Sequence, residues 1–243
     1  KMNKPSGRDG TGGRAAIVLN GSPLFTGGAG SGESEIRKWV LDRDYLEAII
    51  ALPTDMFYNT GIATYIWVLD TAKAPERRGL IQLIDATARG QKMRKSLGSK
   101  RSLLGEEDIA WVIRAYGEFA EAEHCKILPR EDFYYRTITV ERPALDDDGQ
   151  VVRDLKGRPK PDPKRRDTEN VPWNEDIDAY VEREVRPFLP DAWIDKAKTK
   201  EGCEIPFTRL FYVYTPPRPL EEIDRDLDEV LGRIRQRLEK VRR

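Results

Sequence analysis

Apolar positions along the chain fall into short runs separated by polar, glycine-rich connections. Ala15–Leu19 (AAIVL) predicts a short buried strand. A Gly/Ser loop, Asn20 to Ser34, leads to a helix over about 34–43, with Ser31 and Ser34 as capping groups and Ile36, Trp39 and Val40 on one face. Leu46–Leu52 (LEAIIAL) predicts a second buried strand, ended by Pro53. Thr54–Gly61 is a loop, and Ile62–Leu69 (IATYIWVL) a third strand rich in β-branched and aromatic residues. The helical crossover makes the first two strands parallel neighbours, and the short second connection makes the next two an antiparallel pair. Continuous apolar strands need cover on both faces, and one helix cannot supply it. The sheet is therefore expected to be incomplete, with the missing cover coming from upstream sequence or another chain.

Later segments are more polar. Leu80–Asp85 is a fourth strand candidate, and 106–121 an amphipathic helix presenting Ile109, Val112, Ile113, Tyr116 and Phe119. Phe133–Val140 alternates as an exposed strand does, 142–167 is charged and turn-rich, and 174–189 holds a helix. A Pro-punctuated stretch from Tyr212 precedes Leu220, Ile223, Leu227, Val230, Ile234, Leu238 and Val241, whose spacing is close to a heptad seam. Acidic residues dominate 221–229 and basic ones 233–243, which complements the helix dipole. Such a helix either packs on its own domain or pairs with a partner's helix.

Composition narrows the chemistry. The 243 residues carry 42 Lys+Arg against 42 Asp+Glu, so there is no global pull toward nucleic acid. His124 is the single histidine, which excludes a His-rich metal site; Cys125 and Cys203 lie 78 positions apart, which excludes a CxxC pattern. Few cysteines point to a reducing, cytoplasmic compartment. No stretch approaches the roughly 20 apolar residues of a membrane span. Residues 1–90 hold 21 charged residues and 142–201 hold 28, so the second segment reads as a wet arm rather than a core.

Four features invite a chemical role. Gly10–Gly13 (GTGG) precedes a strand, the reverse of a phosphate loop, and reads as a flexible loop. Gly27–Gly32 follows a strand but lacks a nucleotide-loop spacing; it reads as a mobile connection, with a lid or DNA-facing loop as the alternative. Arg89, Lys92, Arg94, Lys95, Lys100 and Arg101 crowd a stretch without acidic residues, suited either to phosphate contact or to a solvated loop. Met56-Phe57-Tyr58-Asn59 sets two aromatics beside an amide, either stacking on a planar ligand or anchoring the loop. His124-Cys125 lacks the partners of a nucleophilic pair.

The segment Gly13–Asp70, above all LPTDMFYNTGIATYIWVL, resembles the modification subunit of type I restriction–modification systems, a DNA adenine-N6 methyltransferase. The similarity continues through Gln82–Arg101, Phe133–Pro143, DTENVPWNEDI and EIPFTRLFYVYTPPRPLEEI, as the C-terminal portion of such a subunit. It implies an α/β fold: the C-terminal part of a Rossmann-like methyltransferase sheet, incomplete in this chain, followed by a charged arm and a C-terminal helix. The implied divisions are 1–90 and 91–141 for the methyltransferase domain, 142–219 for the arm and 220–243 for the helix. The resemblance also implies S-adenosylmethionine as cofactor, duplex DNA as substrate, and three partners: a specificity subunit, a restriction (motor) subunit and the upstream part of the same domain. Such enzymes hold their cofactor with an acidic, Gly-containing loop and their target adenine with an Asn-Pro-Pro-aromatic motif. Neither is present; the nearest match, Tyr214-Thr-Pro-Pro, has Thr in place of Asn. No catalytic residue is therefore expected in this chain, and alone it is expected to be inactive. One element carries over: Phe57 matches the loop aromatic that stacks on the flipped adenine, with Tyr58 as the fallback and Asn59 and Thr60 shaping the pocket. The basic stretch then meets the DNA backbone or a neighbouring subunit. The rival class is a non-catalytic assembly or DNA-binding module.

Overall fold

A computed structural model describes residue 2 and residues 12–241, with side chains through 238. Gly10 and Thr11 of the GTGG segment lie outside the described residues. The chain divides into two compact units, Lys1–Phe211 and Tyr212–Arg243.

The first unit begins with β1 (Arg14–Asn20), α1 (Ser22–Phe25), α2 (Gly32–Asp42), β2 (Leu46–Leu52), β3 (Thr64–Asp70) and β4 (Leu80–Asp85). There follow a hairpin, β5 (Gln91–Leu97) and β6 (Lys100–Leu103), then α3 (Glu106–Glu118) and β7 (Cys125–Pro129). Its mixed five-stranded sheet has the order β1-β3-β2-β4-β7. Every residue of β2 is buried. Ile49 and Ala51 face a core with Leu41, Trp67, Leu83 and Phe133, while Ile50 and Leu52 face another with Ile84, Ala115 and Cys125. A continuous apolar run is the pattern a strand covered on both faces requires.

β1 departs from its expected place. It pairs antiparallel with β3, and β3 also pairs antiparallel with β2, so β1 and β2 run the same way without being neighbours. A crossover fixes relative direction but not adjacency, and β3 returns into the gap. Among the described residues β1 is consequently an edge strand, and its apolar side chains are not buried: Ile17 is 42% and Val18 50% exposed. α2 starts as its caps predict, with Ser31 Oγ accepting from the Ser34 amide. Its buried face, however, is Ser34, Arg37 and Leu41, and Ile36 and Trp39 are exposed. Likewise α3 packs through Trp111, Val112, Ala115 and Tyr116, leaving Ile109 and Ile113 exposed.

The chain continues through β8 (Tyr134–Glu141), β9 (Asp167–Pro172), α4 (Ile177–Tyr180), β10 (Trp193–Cys203) and α5 (Phe207–Phe211). β8, whose alternation predicts an exposed strand, is instead the centre of a second sheet, β10-β8-β9. Ile138, Val140 and Val171 pack there against Val181 and Val185, in the π-helical turn Val181–Val185 that extends α4. The charged arm is thus substantially folded. Its charge lies on ion pairs at the sheet's rim: Arg142 and Arg165 both reach Asp191 at 3.0 Å, and Arg166 and Lys198 reach the buried Glu141 at 2.9 and 2.8 Å.

The second unit holds α6 (Leu220–Val241), whose seam residues Leu220, Ile223, Leu227, Val230, Ile234 and Leu238 are exposed. Among the described residues no helix is long and apolar enough to cross a membrane.

Candidate nucleic-acid interface

Two segments read separately in the sequence meet in space. Residues 57–60 form a tight turn in which the Thr60 amide donates to the Phe57 carbonyl at 3.5 Å. The β5–β6 hairpin lies against this turn. The Ser99 amide donates to the Tyr58 carbonyl at 3.0 Å, and the Arg101 and Ser102 amides donate to the Asp55 carbonyl at 2.9 and 3.0 Å. These three backbone bonds fix the aromatic turn to the basic hairpin independently of side-chain chemistry. Gly98 makes the approach feasible: its φ is +62°, and a Cβ there would sit 3.0 Å from the Tyr58 carbonyl oxygen.

Side chains then project outward. Phe57 is 37% and Tyr58 61% exposed, so neither is tucked into the core as a loop anchor would be. Lys100 Nζ lies 5.9 Å from the Tyr58 ring centre, within cation–π range. Lys92, Arg94, Lys95 and Arg101 are exposed, and among the described residues none of the six basic side chains is ion-paired. Arg89 turns aside: its guanidinium stacks 4.0 Å over Trp111, whose ring lies 4.5 Å from that of His124. Asn59 and Thr60 belong to the same turn, with Asn59 exposed. The stretch lacks an aromatic in sequence, yet Tyr58 provides one in space.

Beneath the sheet a buried polar network secures α3. Glu47 on β2 accepts from Arg14 at 2.9 Å and from the Tyr116 hydroxyl at 2.7 Å, with Arg77 at 3.5 Å. Arg14 also contacts the Tyr116 hydroxyl. Burial, reinforced by the Glu47 carboxylate, pushes the Tyr116 phenol up to about 12. Arg77 caps the Tyr116 carbonyl at 2.6 Å and the Gln82 side chain at 3.1 Å. Cys125 is buried, which pushes its thiol up. Among the described residues no cluster of three or more His, Cys, Asp or Glu is placed to hold a metal ion.

The entry to the Gly27–Gly32 segment is clamped. Buried Arg37 donates to four backbone carbonyls: Cys203 at 2.7 Å, Pro23 at 3.2 Å, Thr26 at 2.7 Å and Gly27 at 3.2 Å. The sequence marks Arg37 only as a polar helix position, so its role is invisible there.

The sequence model of the family described as N-6 DNA Methylase matches residues 8–137, more than half of the chain. The chain belongs to the N-6 DNA methylase family. The aromatic turn and basic hairpin both lie inside the matched stretch. The chain is 34% identical over 120 residues to the type I restriction enzyme MjaVIII methylase subunit of Methanocaldococcus jannaschii, covering 49% of this chain and 20% of that protein. It is 42% identical over 55 residues to the EcoKI methylase subunit of Escherichia coli, covering 23% of this chain and 10% of the relative. Among solved structures, the type I restriction–modification methyltransferase subunit from Streptococcus thermophilus superposes with a TM-score of 0.43 at 25% identity, covering 50% of this chain and 24% of that one. The chain spans about a fifth of the length of the first curated relatives it matches.

Proposed function

We propose that this chain is part of a DNA methyltransferase that transfers a methyl group from S-adenosylmethionine to adenine N6 within a type I restriction–modification complex. The observation that carries the proposal is the aromatic turn Phe57–Thr60 held on an unpaired cationic hairpin. A base inside a duplex must leave the stack before its amino group is reachable, and an aromatic face offsets part of that cost. Phe57, with Tyr58 beside it, supplies the face; Lys92, Arg94, Lys95, Lys100 and Arg101 supply charge for the adjoining phosphates. The family model spans this region and the similar proteins include methylase subunits, which supports the same reading.

The described residues do not fit the cofactor. One mostly apolar groove, about 500 Å³, is lined by Ile17, Leu19, Ile36, Val40, Trp67 and Leu69, with Glu33, Asn20 and Ser22 among its polar members. A sulfonium and a ribose need carboxylates and free polar acceptors, and Glu33 is the one carboxylate in this mostly apolar lining. Arg37 at the groove's rim is already committed to carbonyls. No catalytic step is therefore assigned to residues of this chain. The groove and the unpaired edge of β1, with Ile17 and Val18 exposed, instead support an incomplete Rossmann-like sheet. The upstream part of the same domain would pair with that edge and carry the cofactor loop and the adenine-holding motif. The specificity and motor subunits complete the assembly, with the α6 seam as a helix-pairing surface.

Methylation assays with labelled S-adenosylmethionine and unmethylated DNA test the proposal. The native polypeptide carrying this sequence, assembled with its partners, should transfer methyl groups to adenine, and this chain alone should not. Phe57→Ala should weaken adenine capture and leave cofactor binding nearly intact. Reversing the charges of Lys92, Arg94 and Lys95 should flatten the salt dependence of DNA affinity. Unchanged methylation kinetics in Phe57→Ala would remove that ring from the base pocket. Transfer by the isolated chain would overturn the assignment of the cofactor site elsewhere, and the absence of transfer by the assembled enzyme would favour a non-catalytic DNA-binding module.

A further inference from the structure

Between β8 and β9 the chain repeats itself every eight residues. Asp146, Asp154 and Asp162 each accept, through Oδ1, the amide two residues on: Asp148 at 3.1 Å, Lys156 at 2.8 Å and Lys164 at 2.9 Å. Each opens a turn closed by a backbone bond to its own carbonyl, from Gly149 at 3.0 Å, Gly157 at 2.9 Å and Arg165 at 3.1 Å. At the base the three repeats join in a ring. The Val152 amide donates to Ala144, Lys160 to Val152 and Ala144 to Lys160, at 2.9, 2.9 and 2.8 Å. The module is a knob of three like turns about a pseudo-threefold axis. It is bolted to the second sheet by Arg142 and Arg165 on Asp191 and by Arg166 on Glu141.

The tip of the second turn is Leu155, the most exposed large apolar side chain among those described, with a relative exposure of 108%. It contributes nothing to folding, and the equivalent positions in the other turns are Asp147 and Pro163. Beneath it the turn is stiffened by the Arg158–Asp154 ion pair at 3.0 Å and by Arg153 donating to the Gly157 carbonyl at 2.9 Å. On the second and third turns Lys156, Lys160 and Lys164 are exposed and, among the described residues, not ion-paired, while the first turn carries Asp146, Asp147 and Asp148. Residues 153–166 hold seven basic and two acidic side chains, in a chain with zero net charge.

We infer that this knob is a second contact to duplex DNA, with Leu155 a wedge at a base step and Lys156, Lys160 and Lys164 on the flanking phosphates. The inference rests on the reading of the parent enzyme as acting on DNA. A protein hot spot needs apolar neighbours to exclude water; the knob's other exposed large apolar side chains, Leu145 and Val151, pair in the stem of the first turn, and Leu155 has only polar and charged residues within its own turn. A wedge needs only one apolar side chain on a support rigid enough to part stacked bases, with positive charge on either side.

The test uses the native polypeptide with its partner subunits and a mixed-sequence duplex carrying a fluorophore at each end, read for affinity and bend. Leu155→Ala should weaken binding roughly tenfold, the effect of half-burying the carbons removed. It should also relax the bend and leave the salt slope unchanged, and Leu155→Phe should restore both losses. Replacing Lys156, Lys160 and Lys164 by Gln should lower the salt slope by about 0.9 for each phosphate left without its cation. Wild-type binding and bend in Leu155→Ala overturn the wedge, as does a loss of subunit assembly in place of DNA affinity, which would make Leu155 a protein contact. Methyl transfer by the wild type in the same preparation separates these outcomes: without it the parent reading fails, and with it only the wedge does.

Discussion

Replacing Arg37 with Met should cost about 3–4 kcal/mol of stability. Met keeps the apolar stem and removes only the donors, so packing losses are small. The guanidinium serves four carbonyls, two of them, Cys203 and Thr26, at 2.7 Å. Hydrogen bonds to a charged donor contribute about 1.5–3 kcal/mol each, and a buried acceptor left bare costs about 1–3 kcal/mol. Cys203 is fully buried and cannot recruit water, and its carbonyl keeps only a long 3.5 Å bond from the Ser34 hydroxyl, so it bears most of the penalty. Water reaches the exposed Thr26 region and spares part of the rest, which brings the sum to the stated range rather than to four full penalties. Urea unfolding of the native polypeptide reads the loss as a shifted midpoint at constant slope. Amide exchange should accelerate across 20–34 and at Ile205, whose amide donates to the Leu24 carbonyl at 2.9 Å. The control is Lys38→Met, one position along, which loses partly exposed pairs with Glu201 at 3.1 Å and Asp42 at 3.7 Å and should cost under about 1 kcal/mol. An Arg37→Met loss below about 1 kcal/mol, or unchanged exchange in the loop, would refute the clamp.

Gly98→Ala places a side chain at φ +62° and 3.0 Å from the Tyr58 carbonyl, so it should cost about 1–2 kcal/mol in thermal unfolding and lower DNA methylation by the assembled enzyme. Tyr116 is held protonated to about 12, above its ordinary value of about 10. Its contribution is therefore complete below pH ~10 and drains away as pH rises through about 12; Tyr116→Phe should make the alkaline fall in the urea midpoint shallower, with burial-raised Tyr65, Tyr134, Tyr135 and Tyr180 and the two buried thiols contributing to the rest. Burial pushes the Cys203 thiol up to about 12 and the Cys125 thiol upward, so iodoacetamide at pH ~8 should label neither cysteine in the native protein; labelling faster than global unfolding would show that one of them is accessible.

Strand identity is legible wherever neighbours on both faces impose a continuous run, as in β2. Strand order is not. β1 carries a similar run, AAIVL, but a run records the polarity of the intended surroundings and says nothing of which strand lies alongside. Helix faces mislead for a related reason: Ile36, Ile109 and Ile113 have the right period, yet the surfaces they would meet are absent among the described residues. Turn chemistry in 146–166 is plain from its Asp, Gly and Pro content. The eight-residue spacing of Asp146, Asp154 and Asp162 is also there to be counted, but its meaning lies in a backbone ring no residue type announces. The aromatic turn and the basic stretch are each visible, and their contact is not, because three main-chain amides make it.

Charge balance in this chain is an average over cations with opposite fates. Arg37, Arg77, Arg142, Arg165 and Arg166 are used up by folding, on carbonyls or carboxylates that fix α2, α3 and the base of the knob. Lys92, Arg94, Lys95 and Arg101 on the hairpin, and Lys156, Lys160 and Lys164 on the knob, stand on equally well-ordered supports yet pair with no carboxylate among the described residues. Holding a like-charged cluster on a rigid hairpin costs repulsion that a flexible loop would relieve by spreading. Rigidity and unpaired charge together are what support the proposed reading of both surfaces as polyanion contacts. Each also carries an exposed nonpolar side chain at its tip or against it, Tyr58 in one case and Leu155 in the other. Phosphate contact needs only the charge; the added apolar group is what a surface requires if it must also disturb the stacking of bases.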